Sequence, residues 1–246
     1  MKPRLDRTLV ERGLAPTREK AQALIMAGEV LVDGRKAAKP GQPVDAEARI
    51  EVLAQPPFVS RGGLKLDAAI AHFGIQVAGR VCLDIGASTG GFTDCLLQHG
   101  ARKVFAIDVG HAQLDWKIRS DPRVVVREKL NARHLSRGDI PEPVGICVID
   151  VSFISLTLIL PPAAALLSND GVIISLIKPQ FELRREDVAR GGVVRDAALH
   201  GEAVEKIRAF VAEALPGLVW SGVIESPILG GEGNKEFLAC LRTASA

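Results

Sequence analysis

The sequence predicts an α/β protein, a doubly wound, mostly parallel seven-stranded sheet preceded by a small α+β unit, and three observations carry that prediction. Beyond residue 80, apolar runs alternate with helical segments, as expected of strands buried on both faces and joined by crossover helices. Those runs are rich in Val and Ile, and several finish on an acid or a lysine. The composition also changes near residue 57, since all ten aromatic residues lie at Phe58 or beyond. With 246 residues, 47% hydrophobic and 24% charged, the chain can fill one large or two modest cores, which excludes disordered and fibrous classes.

Taken in order, Leu5 and Leu9 sit at helical spacing and Gly13 stops that helix. Thr17 is placed to cap a second helix carrying Ala21, Leu24 and Ile25 and closed by Gly28. A strand over Glu29–Val32 and an Asp33-Gly34 turn follow. Gln55-Pro56-Pro57 reads as a stiff, extended joint, giving a first domain over 1–55, a linker over 56–62 and a second domain over 63–246. Strands are then expected at Val81–Ile85, Lys103–Ile107, Arg123–Val126, Gly145–Asp150 and Gly171–Ile177, with a late pair near Val219 and Phe237. Helices are expected at Phe92–Gln98, Ser155–Leu167 and Leu199–Leu215. The apolar stretch from Val144 to Leu167 has the hydropathy of a membrane span, but Asp150, Pro161 and Pro162 favour a buried strand followed by a buried helix.

Lys and Arg number 31 against 29 acids, and the formal charge of +2 gives no sign of a polyanionic partner. Its distribution does. Residues 1–65 hold 12 basic and 8 acidic side chains, and residues 117–137 hold seven basic ones (Lys117, Arg119, Arg123, Arg127, Lys129, Arg133, Arg137) against Asp121 and Glu128. The second stretch reads either as a solvated helix–strand edge or as a phosphate track. Cys82, Cys95, Cys147 and Cys240 are far apart, without a CxxC pair or a histidine at ligand spacing, so neither a disulfide framework nor a metal site is expected. With a charged N-terminus that lacks an apolar signal core, they point to a reduced, cytoplasmic setting and no membrane.

Residues 4–44 resemble the alpha-L, or ribosomal S-four-type, RNA-binding module in their order of helix, Thr-Arg, helix and Gly-x-Val-x-Val-x-Gly. The resemblance implies an RNA partner held through phosphates and shape, because no aromatic is present for base stacking. Arg4, Arg18 and Lys20 are its candidate contacts, joined by Arg61 and Arg133 further along; solubilising surface charge is the competing reading.

In an open parallel sheet, ligands gather at the carboxyl ends of the strands, so the first strand-to-helix loop is the place to look. It reads Asp84-Ile-Gly86-Ala-Ser88-Thr-Gly90-Gly91-Phe92. A dinucleotide fingerprint would need a glycine where Ser88 stands, and a P-loop would need a Lys-Ser/Thr pair after Gly91. An acid ending the first strand followed by Gly-x-Ser-x-Gly-Gly resembles instead the S-adenosylmethionine loop of class I methyltransferases. That resemblance makes Asp84, Gly86, Ser88, Gly90, Gly91 and Phe92 cofactor residues, with Asp108 accepting from the ribose hydroxyls. Asn131 is a candidate for the adenine side, with loop filler as the alternative.

Methyl transfer to oxygen needs positioning and a route for a proton, for which lysines with interleaved carboxylates are suited. Asp150 ends the fourth strand and Lys178 the fifth, Lys65 lies in VSRGGLKL, and Glu236 lies at the last strand. These four match the Lys-Asp-Lys-Glu tetrad of FtsJ-like ribose methyltransferases. With DIGASTGGF, DVSFISL and IKPQFE, the chain resembles the TlyA, or haemolysin A, family of ribosomal RNA methyltransferases from end to end. The resemblance implies methylation of a ribose 2′-hydroxyl, of cytidine in ribosomal RNA, on ribosomal subunits. Lys178 would orient or deprotonate the hydroxyl, Asp150 would steady that lysine, and Lys65 and Glu236 would complete the network. Glu232 competes with Glu236 for the acid, and Lys65 could be a surface helix residue. Cytosine carbon methylation would need a cysteine nucleophile, whereas Cys147 sits mid-strand, and amino-group methylation would need prolines that Asp150-Val-Ser-Phe153 lacks. A non-catalytic RNA-binding protein and a membrane-lytic protein are the remaining alternatives.

Overall fold

A computed structural model describes residues 2–53 and 57–244. The chain separates into two compact units, 1–56 and 57–246.

The first unit is built from α1 (Leu5–Glu11), α2 (Arg18–Met26), β1 (Val30–Val32), β2 (Arg35–Lys36) and β3 (Ile50–Val52). Thr17 caps α2 as its sequence implies, its Oγ1 accepting from the Lys20 N–H at 3.2 Å. Leu5 and Leu9 are fully buried against Ala21, Leu24, Ile25 and Val30, so the helical stripes meet in one small core. β1 pairs antiparallel with β2 and β3, and Asp33 and Gly34 both adopt positive φ in the two-residue turn joining β1 to β2.

The second unit contains α3 (Gly62–Phe73), β4 (Val81–Ile85), α4 (Gly91–Gln98), β5 (Lys103–Asp108), α5 (Trp116–Arg119), β6 (Val124–Glu128), β7 (Val144–Ile149), α6 (Leu160–Ala164), β8 (Leu167–Ile177), α7 (Pro179–Glu182), α8 (Ala197–Ala214), β9 (Leu218–Glu225) and β10 (Phe237–Thr243). The strand order is β6-β5-β4-β7-β8-β10-β9, with β10 antiparallel to both of its neighbours. Side chains alternate between two cores. Cys82, Ile146 and Ile174 pack on one face, while Leu83, Cys147 and Ile173 pack on the other. The order reverses between β4 and β7, and this switch point places a crevice beyond their carboxyl ends.

Two expectations need correction. The helix expected over Ser155–Leu167 is a 3-10 turn at Leu156–Leu158 followed by the five-residue α6, and Leu167 already belongs to β8. Pro161 and Pro162 occupy the first positions of α6, where a missing N–H is tolerated, so no continuous helix can run through them. The expected linker over 56–62 is also too long. Gln55 and Pro56 lie outside the described residues, but Phe58 is buried in the core of the second unit and α3 begins at Gly62. A β-carbon on Gly63 would stand 2.2 Å from the Phe58 ring, so this approach requires glycine. No helix among the described residues is long and apolar enough to cross a membrane.

Candidate active site

The loop after β4 opens the crevice. Gly86, at φ +86, passes so close to β7 that a β-carbon there would lie 2.2 Å from the Asp150 carbonyl oxygen. Ser88 takes a left-handed conformation, φ +48, and its N–H donates to Asp108 Oδ2 at 2.8 Å. The Gly110 N–H donates to Asp108 Oδ1 at 2.7 Å. Two backbone donors thus aim the Asp108 carboxylate while leaving each oxygen a further lone pair.

Two cavities meet at this loop. The larger, about 390 Å³, has Asp108, Asn131 and Gln113 as polar groups among apolar walls from Ile107, Leu130 and Ile154. The smaller, about 230 Å³, is lined by Ser60, Arg61, Lys65, Phe92 and Leu229. Gly86, Ser88 and Asp150 line both.

The lysines and carboxylates form two pairs, one through Asp150 at that junction and one through Lys65 in the smaller cavity. Lys178 Nζ lies 2.6 Å from Asp150 Oδ1 and donates to Ser152 Oγ at 3.0 Å. Lys65, 8% exposed, lies 2.5 Å from Glu236 Oε2, and Glu236 is 3% exposed. Glu232 is exposed, so the geometry gives the buried partnership to Glu236. Lys65 is not a surface residue of α3. Burial of either member is tolerable only because the other compensates its charge.

The two units each have a counterpart among known proteins. Residues 58–243 match the FtsJ-like methyltransferase model. The chain belongs to the FtsJ-like methyltransferase family. Residues 3–50 match the S4 domain. A Mycobacterium tuberculosis relative named 16S/23S rRNA (cytidine-2'-O)-methyltransferase TlyA is 46% identical over 98% of this chain and 90% of its own length. A Brachyspira hyodysenteriae relative named hemolysin A is 45% identical over 96% of this chain and 98% of its own. A solved structure from Streptococcus thermophilus, named as a candidate hemolysin, is 42% identical, with a TM-score of 0.76 over 100% of this chain and 90% of that one.

Within this FtsJ-like site, several residues sit differently from their sequence assignments. Asp84 is fully buried and lines neither cavity. Its Oδ2 accepts from Thr93 Oγ1 at 2.6 Å, its Oδ1 has no partner among the described residues, and burial pushes its carboxyl up to about 7. Phe92 contributes mainly to the core. Gly90, at φ +96, starts α4, and Gly91 leaves no room for a β-carbon beside Ser60 Oγ. Asn131 lines the larger cavity while its Oδ1 caps the 3-10 turn Ala132–His134 through the Arg133 N–H at 3.1 Å. Ser152, the second partner of Lys178, was missed by sequence reasoning; its place two residues after a strand-end acid is the only signal.

The basic residues divide similarly. Arg4 and Arg18 both bind the buried Asp6, at 3.0 and 2.9 Å, and the Arg4 guanidinium, with Gln22 and Arg18, holds that carboxyl well below the usual range against the cost of burial. Lys20 forms no ion pair among the described residues. Arg61 donates to the Leu229 carbonyl at 2.8 Å across the smaller cavity. In the second basic stretch, Arg119 pairs with Glu128, Arg123 with Asp121, Lys117 approaches Asp94, and Arg137 donates to the Ala165 and Leu167 carbonyls. Arg127, Lys129 and Arg133 form no ion pair among the described residues.

One grouping escaped the sequence reading altogether. Asp67, Cys95 and His99 bring three potential ligand atoms within 4.8 Å, because Cys95 on α4 and His99, which caps that helix, stand four apart, and Asp67 lies on α3. His99 Nε2 is 2.7 Å from Asp67 Oδ1, while burial raises the Cys95 thiol far from ionisation.

Proposed function

We propose that this protein methylates a ribose 2′-hydroxyl of ribosomal RNA, cytidine in ribosomal subunits, using S-adenosylmethionine in the cytoplasm. The observation that carries this reading is that Asp150, on the wall shared by both cavities, is paired with Lys178, while Lys65, lining the smaller cavity, is paired with the buried Glu236.

The residues fit a cationic nucleoside cofactor. The larger cavity offers a carboxylate with free lone pairs at Asp108 and flat apolar walls, suited to a ribose diol and an adenine ring. The loop carries no lysine of the kind that binds pyrophosphate, as expected where the ligand has no phosphate. When bound, S-adenosylmethionine supplies the electrophilic methyl group and its leaving group.

The remaining work falls to the protein. Lys178 Nζ has three tetrahedral positions, of which Asp150 and Ser152 occupy two, leaving one for the ribose hydroxyl. As the carbon–oxygen bond forms the hydroxyl must give up its proton, and Lys178, held by Asp150 and Ser152, orients the hydroxyl or takes that proton, with Asp150 stabilising the charge on the lysine. Glu236 holds Lys65 at the floor of the smaller cavity, where a fixed cation faces the reacting region. The S4 unit, with Arg4, Arg18 and Lys20, supplies phosphate contacts that carry no sequence information, and Arg61 and Arg133 add contacts on the methyltransferase unit. The relatives named as rRNA (cytidine-2'-O)-methyltransferases support the choice of substrate.

The test is transfer of tritiated methyl groups from the cofactor to separated bacterial ribosomal subunits, followed by nuclease digestion and identification of the labelled nucleoside. Label on a cytidine 2′-oxygen is expected. Label on a base, or none on either subunit, overturns the reading.

A further inference from the structure

Two motifs flank the reactive lysine and aspartate, and one acid in them has no place in the chemistry described above. Glu182 ends α7, four residues after Lys178, and is 4% exposed. Its Oε2 accepts from Ser155 Oγ at 2.6 Å, and its Oε1 accepts from the Leu156 N–H at 2.8 Å. Lys206, reaching over from α8, lies 3.2 Å from Oε2 and also donates to the Glu182 backbone carbonyl. A buried carboxylate is costly unless its oxygens are satisfied, and here both are satisfied by the turn that follows Asp150.

The segment so held needs holding. Residues 150–155 belong to no helix or strand, and Phe153 within it adopts φ +63 with its side chain 90% exposed. A left-handed conformation at a residue with a β-carbon is strained and persists only where the surroundings impose it. The two ends are imposed from one place. Lys178 grips Asp150 and Ser152, while Glu182 grips Ser155 and Leu156. The spacing between the two grips is set by the single turn of α7, in which the Phe181 N–H donates to the Lys178 carbonyl at 2.9 Å and the Leu183 N–H to the Pro179 carbonyl at 3.0 Å. Pro179 at the first position fixes the entry of that turn.

We propose that Glu182 is a positioning residue for methyl transfer: by clamping Ser155 and Leu156 it holds the strained 150–155 segment so that Asp150 and Ser152 stay aligned on Lys178. This rests on the reading of Asp150 and Lys178 as the reactive pair. Glu182 touches neither cavity and acts only through the segment it holds. Release of the clamp lets Phe153 relax to an ordinary conformation, and the strand-end carboxylate loses its alignment. A displacement on the order of 1 Å at a reacting group costs about a hundredfold in rate.

The test uses the full chain with separated ribosomal subunits as substrate and compares Glu182→Ala, Ser155→Ala and the double variant Glu182→Gln with Lys206→Met. For Glu182→Ala we expect kcat to fall about ten- to a hundredfold while KM for RNA stays within about twofold. Ser155→Ala, which removes one hydroxyl at a half-buried position, is expected to fall in the same direction by about three- to tenfold. The double variant retains an amide oxygen for the Leu156 N–H and removes the unpaired cation, so kcat should recover to within about threefold of wild type. The Leu156 amide should exchange with solvent faster in Glu182→Ala, whether or not RNA is present. A folded Glu182→Ala protein with kcat within about twofold of wild type, a loss carried by KM alone, or unchanged Leu156 exchange overturns the proposal. Wild-type protein that labels no ribose overturns the proposed function instead, and the exchange of Leu156 still decides whether the clamp exists.

Discussion

Lys178 Nζ stands 2.6 Å from Asp150 Oδ1, across the carboxyl ends of two adjacent parallel strands, and Asp150 belongs to the wall that the two cavities share. The side chains are 11% and 22% exposed, so the pair is shielded yet reachable from the crevice. Lys178→Ala should therefore abolish methyl transfer while leaving cofactor affinity within about threefold, since Asp108 and the Gly86 loop are untouched. Parallel measurements of labelled methyl transfer and cofactor binding check this, and activity above about a tenth of wild type would refute a central role.

The Lys65–Glu236 pair is expected to behave differently because both partners are deeply buried. Glu236→Leu strands a buried ammonium and should destabilise the second unit by about 3–5 kcal/mol. Lys65→Met combined with Glu236→Leu should restore most of that stability without restoring activity. Urea unfolding and methyl transfer on the three proteins separate the two effects; a double variant that regains activity would show that the pair only supports the fold.

Gly86→Ala addresses the close approach at the switch point. The new methyl group would sit 2.2 Å from the Asp150 carbonyl at a φ of +86. Either the loop or the end of β7 must move, so cofactor binding and methyl transfer should both fall by about tenfold or more. Calorimetric binding of the cofactor measures the first and subunit labelling the second.

Burial raises the Asp84 carboxyl to about 7, against the opposing Thr93 hydrogen bond. Between the unfolded value near about 4 and this raised one, the folded state keeps a proton that the unfolded chain has released, so stability falls as pH rises through that window. A displacement of that size corresponds to roughly 4 kcal/mol. Asp84→Asn does not titrate and keeps the shape, so its melting temperature relative to wild type should rise between pH 5 and pH 8. Parallel pH dependences would refute this account.

Asp6 has the opposite sign. Hydrogen bonding to the Arg4 guanidinium, joined by Gln22 and Arg18, lowers its carboxyl despite burial. The stabilisation it contributes to the S4 unit is therefore fully present above the unfolded value, about 4, and lost as pH falls below it. The protection of the α1 and α2 amides, relative to their intrinsic exchange at each pH, should fall as pH drops from about 4 towards about 2, and Asp6→Asn should flatten that dependence. At neutral pH the same variant should weaken RNA binding, because Arg4 and Arg18 lose the group that orders them.

Much of this was legible in the chain. Strand periodicity, the helix cap at Thr17, the glycine-rich loop after β4 and the acids and lysine at strand ends are local signals, because burial on a strand or capping of a helix is decided within a few residues. From these the sequence by itself determined the two-unit organisation and the doubly wound sheet, and the family resemblance added four candidate side chains, Lys65, Asp150, Lys178 and Glu236. It could not choose between Glu232 and Glu236, place Asp84 behind the cavity wall, or show that Arg4 and Arg18 serve Asp6. Nor could it find Ser152 and Glu182 or assign residues 57–62 to the second unit. Those facts depend on what lies opposite a side chain once the sheet has assembled. Lys65 meets Glu236 across 171 residues of sequence, and only the antiparallel placement of β10 beside β8 brings that partner, rather than its exposed neighbour, to the buried end of the crevice.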